Sequence, residues 1–208
     1  MSDPTSASGG FLLPTAPNPL EGSKDGKNPD QRLDEFLHAW LAGITGMDVK
    51  LVRPRWQPEP PDLPAVGTDW AAFGVVARKA DVFAAVVHHE NDSNGFDTMQ
   101  RNEELDVLAS FYGPNADKNA LACRDNAQLP QNREPLLLAA MGLIETSDAT
   151  TVPELVKDKW LYRVDVTVRL RRLIKRDYRV ENVLAADIGL KVEAGIDGQP
   201  LDIDIPIS

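Results

Sequence analysis

The segment "YRVDVTVRLRR", residues 162–172, decides the fold. A period of two is typical of a β-strand with one face in a core and one face turned away from it. The ten residues from Tyr162 to Arg171, at about 3.3 Å each, predict an element roughly 30 Å long. Because that is long for a small domain, we expect its polar face to meet something besides water. The apolar positions are Tyr162, Val164, Val166, Val168 and Leu170, and the intervening ones are Arg163, Asp165, Thr167, Arg169 and Arg171.

Further strands are predicted on both sides of a helical region. "WAAFGVVARKA" and "DVFAAVVHHE" favour strands, and "LIETS" favours a short one. "EELDVLASFYG" alternates again, which directs one set of apolar side chains toward a core. That set is Leu105, Val107, Ala109 and Phe111.

Three segments predict helices. "NPDQRLDEFLHAWLAGITG" has an apolar face with helical spacing. Asn115 can cap a second helix, whose small residues Ala116, Ala120, Cys123 and Ala127 form a stripe that lets it lie close to a sheet. Pro130 is expected to end it, and "NREPLLLAAMG" predicts a third, shorter helix. This order of elements predicts an α+β fold, a mostly antiparallel β-sheet with helices packed on one face.

The chain ends differ in composition from the middle. Residues 1–28 are rich in Ser, Gly and Pro, which predicts a flexible N-terminal arm. Residues 29–187 form the expected α+β domain. Residues 188–208 alternate but carry turn signals, so they predict an acidic C-terminal arm or an edge strand.

The segment from Leu51 to Trp70, "LVRPRWQPEPPDLPAVGTDW", is a proline-rich strap. Proline fixes φ and removes a backbone donor, so the strap can be neither a helix nor a central strand. Trp56 and Trp70 bracket it. We expect these two side chains to lie on an apolar surface, either of their own domain or of a neighbouring subunit.

Composition narrows the classes of function. The 208 residues include one cysteine and carry a net charge of −10, so no internal disulfide can form and binding to phosphate backbones is disfavoured for the whole molecule. The N-terminus does not resemble a signal peptide, and no run is long enough to span a membrane.

The sequence contains no catalytic or metal-binding motif. His88 and His89 are adjacent and point to opposite faces of a strand, so they are poor partners for one metal. Cys123 is expected to be a buried packing residue. Phosphate-binding loops and nucleophile elbows are absent from the sequence. We therefore expect no enzyme, no cofactor and no metal site.

A basic cluster stands out in this acidic chain. It comprises Arg163, Arg169, Arg171, Arg172, Lys175, Arg176 and Arg179. A solvated strand face, a nucleic-acid contact and a protein docking face all fit it. Residues 181–208 hold six acids and one lysine, so exchange of an acidic arm onto the basic strand of another copy also fits. Candidate interface residues are therefore Trp56, Trp70, Arg163, Arg169 and Arg171.

Four separated blocks resemble, in order, the neck (tail) terminator proteins of contractile-tailed bacteriophages and prophages. They are "LVRPRWQPEPPDLPAVGTDWAAFGV", "EELDVLASFYGPNA", "RDNAQLPQNREPL" and "VPELVKDKWLYRVDVTVRLRR". The resemblance runs from about Gln31 to Asp187. It implies a structural virion protein with an α+β fold and no active site.

The resemblance also implies a setting. The protein would form a ring, expected to be a homohexamer, that terminates the tail tube and joins it to the head connector or stopper. Contact with the tail sheath is possible in such a setting, and DNA would pass through the lumen without sequence-specific binding. The protein would belong to the neck of the virion and reside in the host cytoplasm during assembly. Alternatives are another head–tail ring component, such as a stopper or tube protein, or a nucleic-acid-binding module that uses residues 163–179.

Overall fold

The computed structural model describes residues 14–16, 29–59, 61–65, 67–89, 95–156, 159–180, 190–192 and 201–203. The helices are α1 (Pro29–Thr45), α2 (Ala116–Asn126) and α3 (Pro130–Leu138), with a single 3-10 turn at Val49–Leu51. The strands are β1 (Pro14–Ala16), β2 (Val52–Pro54), β3 (Trp70–Ala80), β4 (Ala85–His89), β5 (Phe96–Tyr112), β6 (Met141–Thr146), β7 (Thr150–Thr151), β8 (Glu154–Val156), β9 (Lys159–Leu161), β10 (Arg163–Arg179), β11 (Leu190–Val192) and β12 (Leu201–Ile203).

Two 17-residue strands, β5 and β10, form the centre of an eight-stranded sheet. They pair antiparallel along their whole length, from Arg163 opposite Tyr112 to Arg179 opposite Phe96. β3 and β4 lie end to end on the far side of β5, while β6, β7 and β1 lie along β10. β2 runs parallel to β3 at the edge of the sheet. The predicted α+β fold with a mostly antiparallel sheet is confirmed.

The core lies between one face of this sheet and the helices. Val166 pairs with Ala109 and Val168 with Val107, so the apolar rows of β5 and β10 face the same way. These side chains form one buried cluster with residues of α1, α2 and α3. The helices therefore pack on a single face, as predicted. The small-residue stripe of α2 is fully buried at Ala116, Ala120, Cys123 and Ala127.

Several local predictions were wrong. Pro130 does not end α2, which stops at Asn126; it begins α3, where a missing N–H costs nothing. Asn115 sits at the N-cap of α2 but donates its side-chain amide to Asp69 and makes no cap bond. Tyr162 lies just outside β10 and is exposed, with its hydroxyl donating to Asp117.

The central strand is longer than predicted. It continues to Arg179, and 17 residues at about 3.3 Å each reach roughly 55 Å. Its second half was missed because basic residues occupy both faces there, so the alternation of apolar side chains disappears. Trp160, two residues before the predicted strand, belongs to the β8–β9 hairpin.

Most of the two predicted arms lies outside the described residues. Within residues 1–28, β1 pairs with Asp177 and Tyr178 of β10. Within residues 188–208, β11 and β12 pair with each other as a two-stranded sheet of their own. β12 is thus not an edge strand of the main sheet.

Candidate assembly interface

The face of the sheet that turns away from the helices carries the polar residues of β5 and β10. Cross-strand neighbours there are Ser110 with Asp165, Asp106 with Arg169, and Glu104 with Arg171. Two facts place the strap on this same face. Gly74 pairs with Leu108, and an added Cβ at Gly74 would lie 3.1 Å from Nε1 of Trp56. We call this surface the helix-free face.

All five residues singled out in the sequence lie on the helix-free face. Trp70 stacks on Tyr112 with ring centroids 4.1 Å apart, and Tyr112 pairs with Arg163 across the sheet. Arg169 and Arg171 follow on the same side of β10. Trp56 lies over β3. The five residues differ in their contacts and exposure, so we expect different structural and binding roles for them.

Arg163 is held in an ion-paired network. Its guanidinium binds both carboxylate oxygens of Asp165, at 2.7 and 2.8 Å, and donates to Glu154 at 3.1 Å. Only 16% of its side chain is exposed. Hydrogen bonding to Asp165 raises the pKa of Arg163, which is charged under all ordinary conditions. A bidentate pair of this kind fixes orientation as well as charge.

Ser110 connects this network to the strap. Its hydroxyl donates to Asp165 at 2.5 Å and accepts a hydrogen bond from Arg55. Ser110 is fully buried, so both bonds are needed to satisfy it. Arg55 also continues the pairing of β2 through its backbone N–H, which donates to the carbonyl of Phe73 at 2.7 Å. The first residues of the strap are therefore fixed on their own sheet.

Tyr112 closes the other end of the network. Its hydroxyl donates to Glu154 at 3.0 Å, and its ring lies between Trp70 and the guanidinium of Arg163. Burial raises the pKa of Tyr112 to about 12, and the hydrogen bond to Glu154 adds to the shift. The phenol is thus neutral at physiological pH and acts as a hydrogen-bond donor.

Farther along β10 the arginines are more accessible. Arg169 pairs with Asp106 at 2.7 Å and with Glu145 at 2.5 Å. The hydrogen bond with Asp106 raises the pKa of Arg169. Arg171 is exposed and pairs across the sheet with Glu104 on one side and Gly142 on the other. Among Arg163, Arg169 and Arg171, only Arg171 is exposed, so it is the most accessible of these three to another molecule.

Trp56 is the large exposed side chain of the strap. It is 70% exposed, although its indole nitrogen touches the sheet at Gly74. A Cβ at Gly74 would crowd both Trp56 and Arg55, so glycine permits this close approach. Leu155 and Trp160, paired across the β8–β9 hairpin, are also largely exposed. An exposed tryptophan on a stiff strap is typical of an interface anchor.

Cys123 and the two histidines of β4 are engaged in packing and pairing contacts. Cys123 is fully buried and burial raises the pKa of its thiol to about 12, which suppresses the reactive thiolate. His88 pairs with Asp97 and His89 stacks on Phe96, on opposite faces of β4. No group of three or more potential metal ligands occurs among the residues described. In the same part of the chain, no helix is long and apolar enough to cross a membrane.

Sequence reasoning missed the acidic partners of the arginines. Asp165 follows Arg163 by two residues, and two residues apart on a strand share a face, so this pair could have been found. The contacts of Arg55 with Ser110 and of Arg163 with Glu154 join segments distant in sequence. No local pattern in the sequence indicates them.

Comparison with known protein families identifies the chain's family. A family model described as phage neck terminator protein matches residues 31–195, more than half of the chain. No curated protein matches the chain. The matched range covers the strap, α2, α3, all but the first two residues of α1, and every strand of the main sheet except β1.

Proposed function

The chain belongs to the phage neck terminator protein family, and on that basis we propose that it forms a closed ring that ends the tail tube. As a member of this family it is a structural protein of the phage neck and a component of the virion. In our proposal the ring is a homohexamer in a contractile tail. It joins the tube to the head connector or stopper and also lies near the sheath.

The helix-free face supports this proposal most directly. It combines a rigid, internally paired base around Arg163 with an exposed anchor at Trp56 and an open cation at Arg171. A preorganised surface loses little conformational freedom when it binds a neighbour. We propose that this face contacts the adjacent subunit or the tail tube protein.

The net negative charge of the chain and the internal pairing of its arginines are compatible with passage of DNA through the ring. The chain carries a net charge of −10, and walls of like charge weaken phosphate binding. Arg163, Arg169 and Arg172 are each paired with a carboxylate of the same chain. We propose that DNA slides through the lumen without sequence-specific contacts, and that assembly takes place in the host cytoplasm.

Two other functions are less well supported. A nucleic-acid-binding module built on residues 163–179 would need open cations, and the pairing of Arg163, Arg169 and Arg172 removes much of that charge. A stopper or tube protein would share the virion setting, but the matched family is that of neck terminators.

Replacing Trp56 tests the assembly surface. We expect Trp56→Ala to reduce ring formation in size-exclusion chromatography at a concentration where the unchanged protein assembles. The free energy of unfolding of this variant should change by less than about 1 kcal/mol, because the side chain is largely exposed. Leu121→Ala, an exposed leucine on α2, serves as the control and should leave both properties unaltered. Unchanged assembly of Trp56→Ala would exclude the strap from the interface.

A further inference from the structure

The outer edge of the sheet ends in an exposed apolar strand. β3 and β4 both pair with β5 and lie end to end, and beyond the residues of β3 that β2 covers they form one edge, interrupted at residues 81–84. In the described part of the chain, β4 pairs with β5 alone. Phe83 in the interruption is 87% exposed and Val86 in β4 is 62% exposed.

The β4 half of this edge lacks the features that normally prevent strand addition. Natural edge strands carry charges or proline that block pairing with another chain. The β3 half has Arg78 and Lys79, but residues 82–88, "VFAAVVH", contain no Asp, Glu, Lys, Arg or Pro. The backbone of β4 is therefore a suitable template for another strand.

The C-terminal hairpin of β11 and β12 has properties suited to a strand that adds to the edge at β4. A hairpin of two short strands is marginally stable by itself and gains stability when it joins a larger sheet. The segment "LDIDI", residues 201–205, alternates apolar and acidic residues, as a strand on an amphipathic edge requires.

The net charges around β4 and in the C-terminal segment also favour pairing of β4 with β12. Around β4, residues 78–89, 96–104 and 171–179 hold eight Lys and Arg against five Asp and Glu. The C-terminal residues 181–208 hold six acids and one lysine. Opposite net charges on two surfaces orient and accelerate their association.

The separation of β4 and β12 within one copy favours a neighbouring copy over the chain's own arm as the occupant. β10 ends opposite Phe96, two strands away from β4, which is about 10 Å. The ten residues between β10 and β11 could span roughly 30 Å. The connection is therefore long enough for β12 to pair with β4 of the same chain. In the single copy, however, β4 and β12 belong to separate sheets.

We propose that β4 of one copy accepts β12 of the next copy, which extends the sheet from subunit to subunit. This inference rests on the proposed self-assembly of the chain. Main-chain hydrogen bonds would provide affinity, and the alternation of apolar and acidic residues in the sequence of β12 would set the register. Contacts of this head-to-tail kind close into a ring when the rotation between copies allows it.

Cross-linking between two singly substituted proteins tests this pairing. Val87→Cys and Ile203→Cys chains are co-expressed and treated with a short bifunctional thiol reagent. Cys123 can stay, because it is buried. We expect a cross-linked dimer on a denaturing gel. Leu121→Cys co-expressed with Ile203→Cys is the control and should give none, since Leu121 lies on α2.

Other results would overturn the pairing in distinguishable ways. If rings form but the mixture gives no more dimer than the control, the strand exchange is wrong and the ring proposal stands. If one chain carrying both cysteines gives only an internal cross-link, the occupant is the chain's own arm. If neither rings nor cross-links form, both proposals fail.

Discussion

Val166→Asp is expected to yield a protein that does not fold. Val166 is fully buried on β10, opposite Ala109 of β5, within the cluster that joins the sheet to the helices. A carboxylate there would have neither water nor a partner, at a cost of several kcal/mol. Because small domains have only about 5–15 kcal/mol of stability, most of it would be lost. Circular dichroism and thermal melting of the soluble fraction measure the effect.

An acidic substitution elsewhere on the same strand provides the control. Lys175 is exposed on the opposite face of β10. The free energy of unfolding of Lys175→Asp should therefore lie within about 0.5 kcal/mol of that of the unchanged protein. A cooperative melt of Val166→Asp near the normal temperature would mean that β10 does not face the core as described.

Arg163→Ala is expected to lower the unfolding free energy by about 3 kcal/mol, since it leaves the largely buried carboxylate of Asp165 without a counter-charge, with only the hydrogen bond from Ser110 remaining. Asp165 loses two hydrogen bonds and Glu154 loses one. The sequence named Arg163 as a candidate interface residue, and its ion pairs with Glu154 and Asp165 give it a structural role as well. Chemical denaturation with urea measures the difference.

Two further variants separate this role from simple loss of a surface charge. Arg171→Ala, on the same face but exposed, should change stability by at most about 0.5 kcal/mol. Arg163→Ala combined with Asp165→Asn should be less damaging than the sum of the single changes, because the unpaired charge is gone. Equal effects of Arg163→Ala and Arg171→Ala would contradict the network.

The layer arrangement could be predicted from alternation alone. Val164, Val166 and Val168 were expected in the core and are buried there, as are Val107 and Phe111 of the partner strand. These positions are decided by a local property, the period of two, which the sequence displays directly.

Features that depend on distant segments could not be predicted in the same way. The strap was recognised as extended, but its position over Gly74 depends on a glycine some 20 residues away. The β8–β9 hairpin was missed because its strands have three residues each, too few to show a period. The collinear arrangement of β3 and β4 depends on both strands pairing with β5.

Native mass spectrometry of the purified protein, alone and with tail tube protein added, tests the central claim most directly. A neck terminator that closes on itself should give one discrete assembly of six copies. Electron micrographs of the same sample should show rings with an open centre. A strict monomer under both conditions would contradict the account.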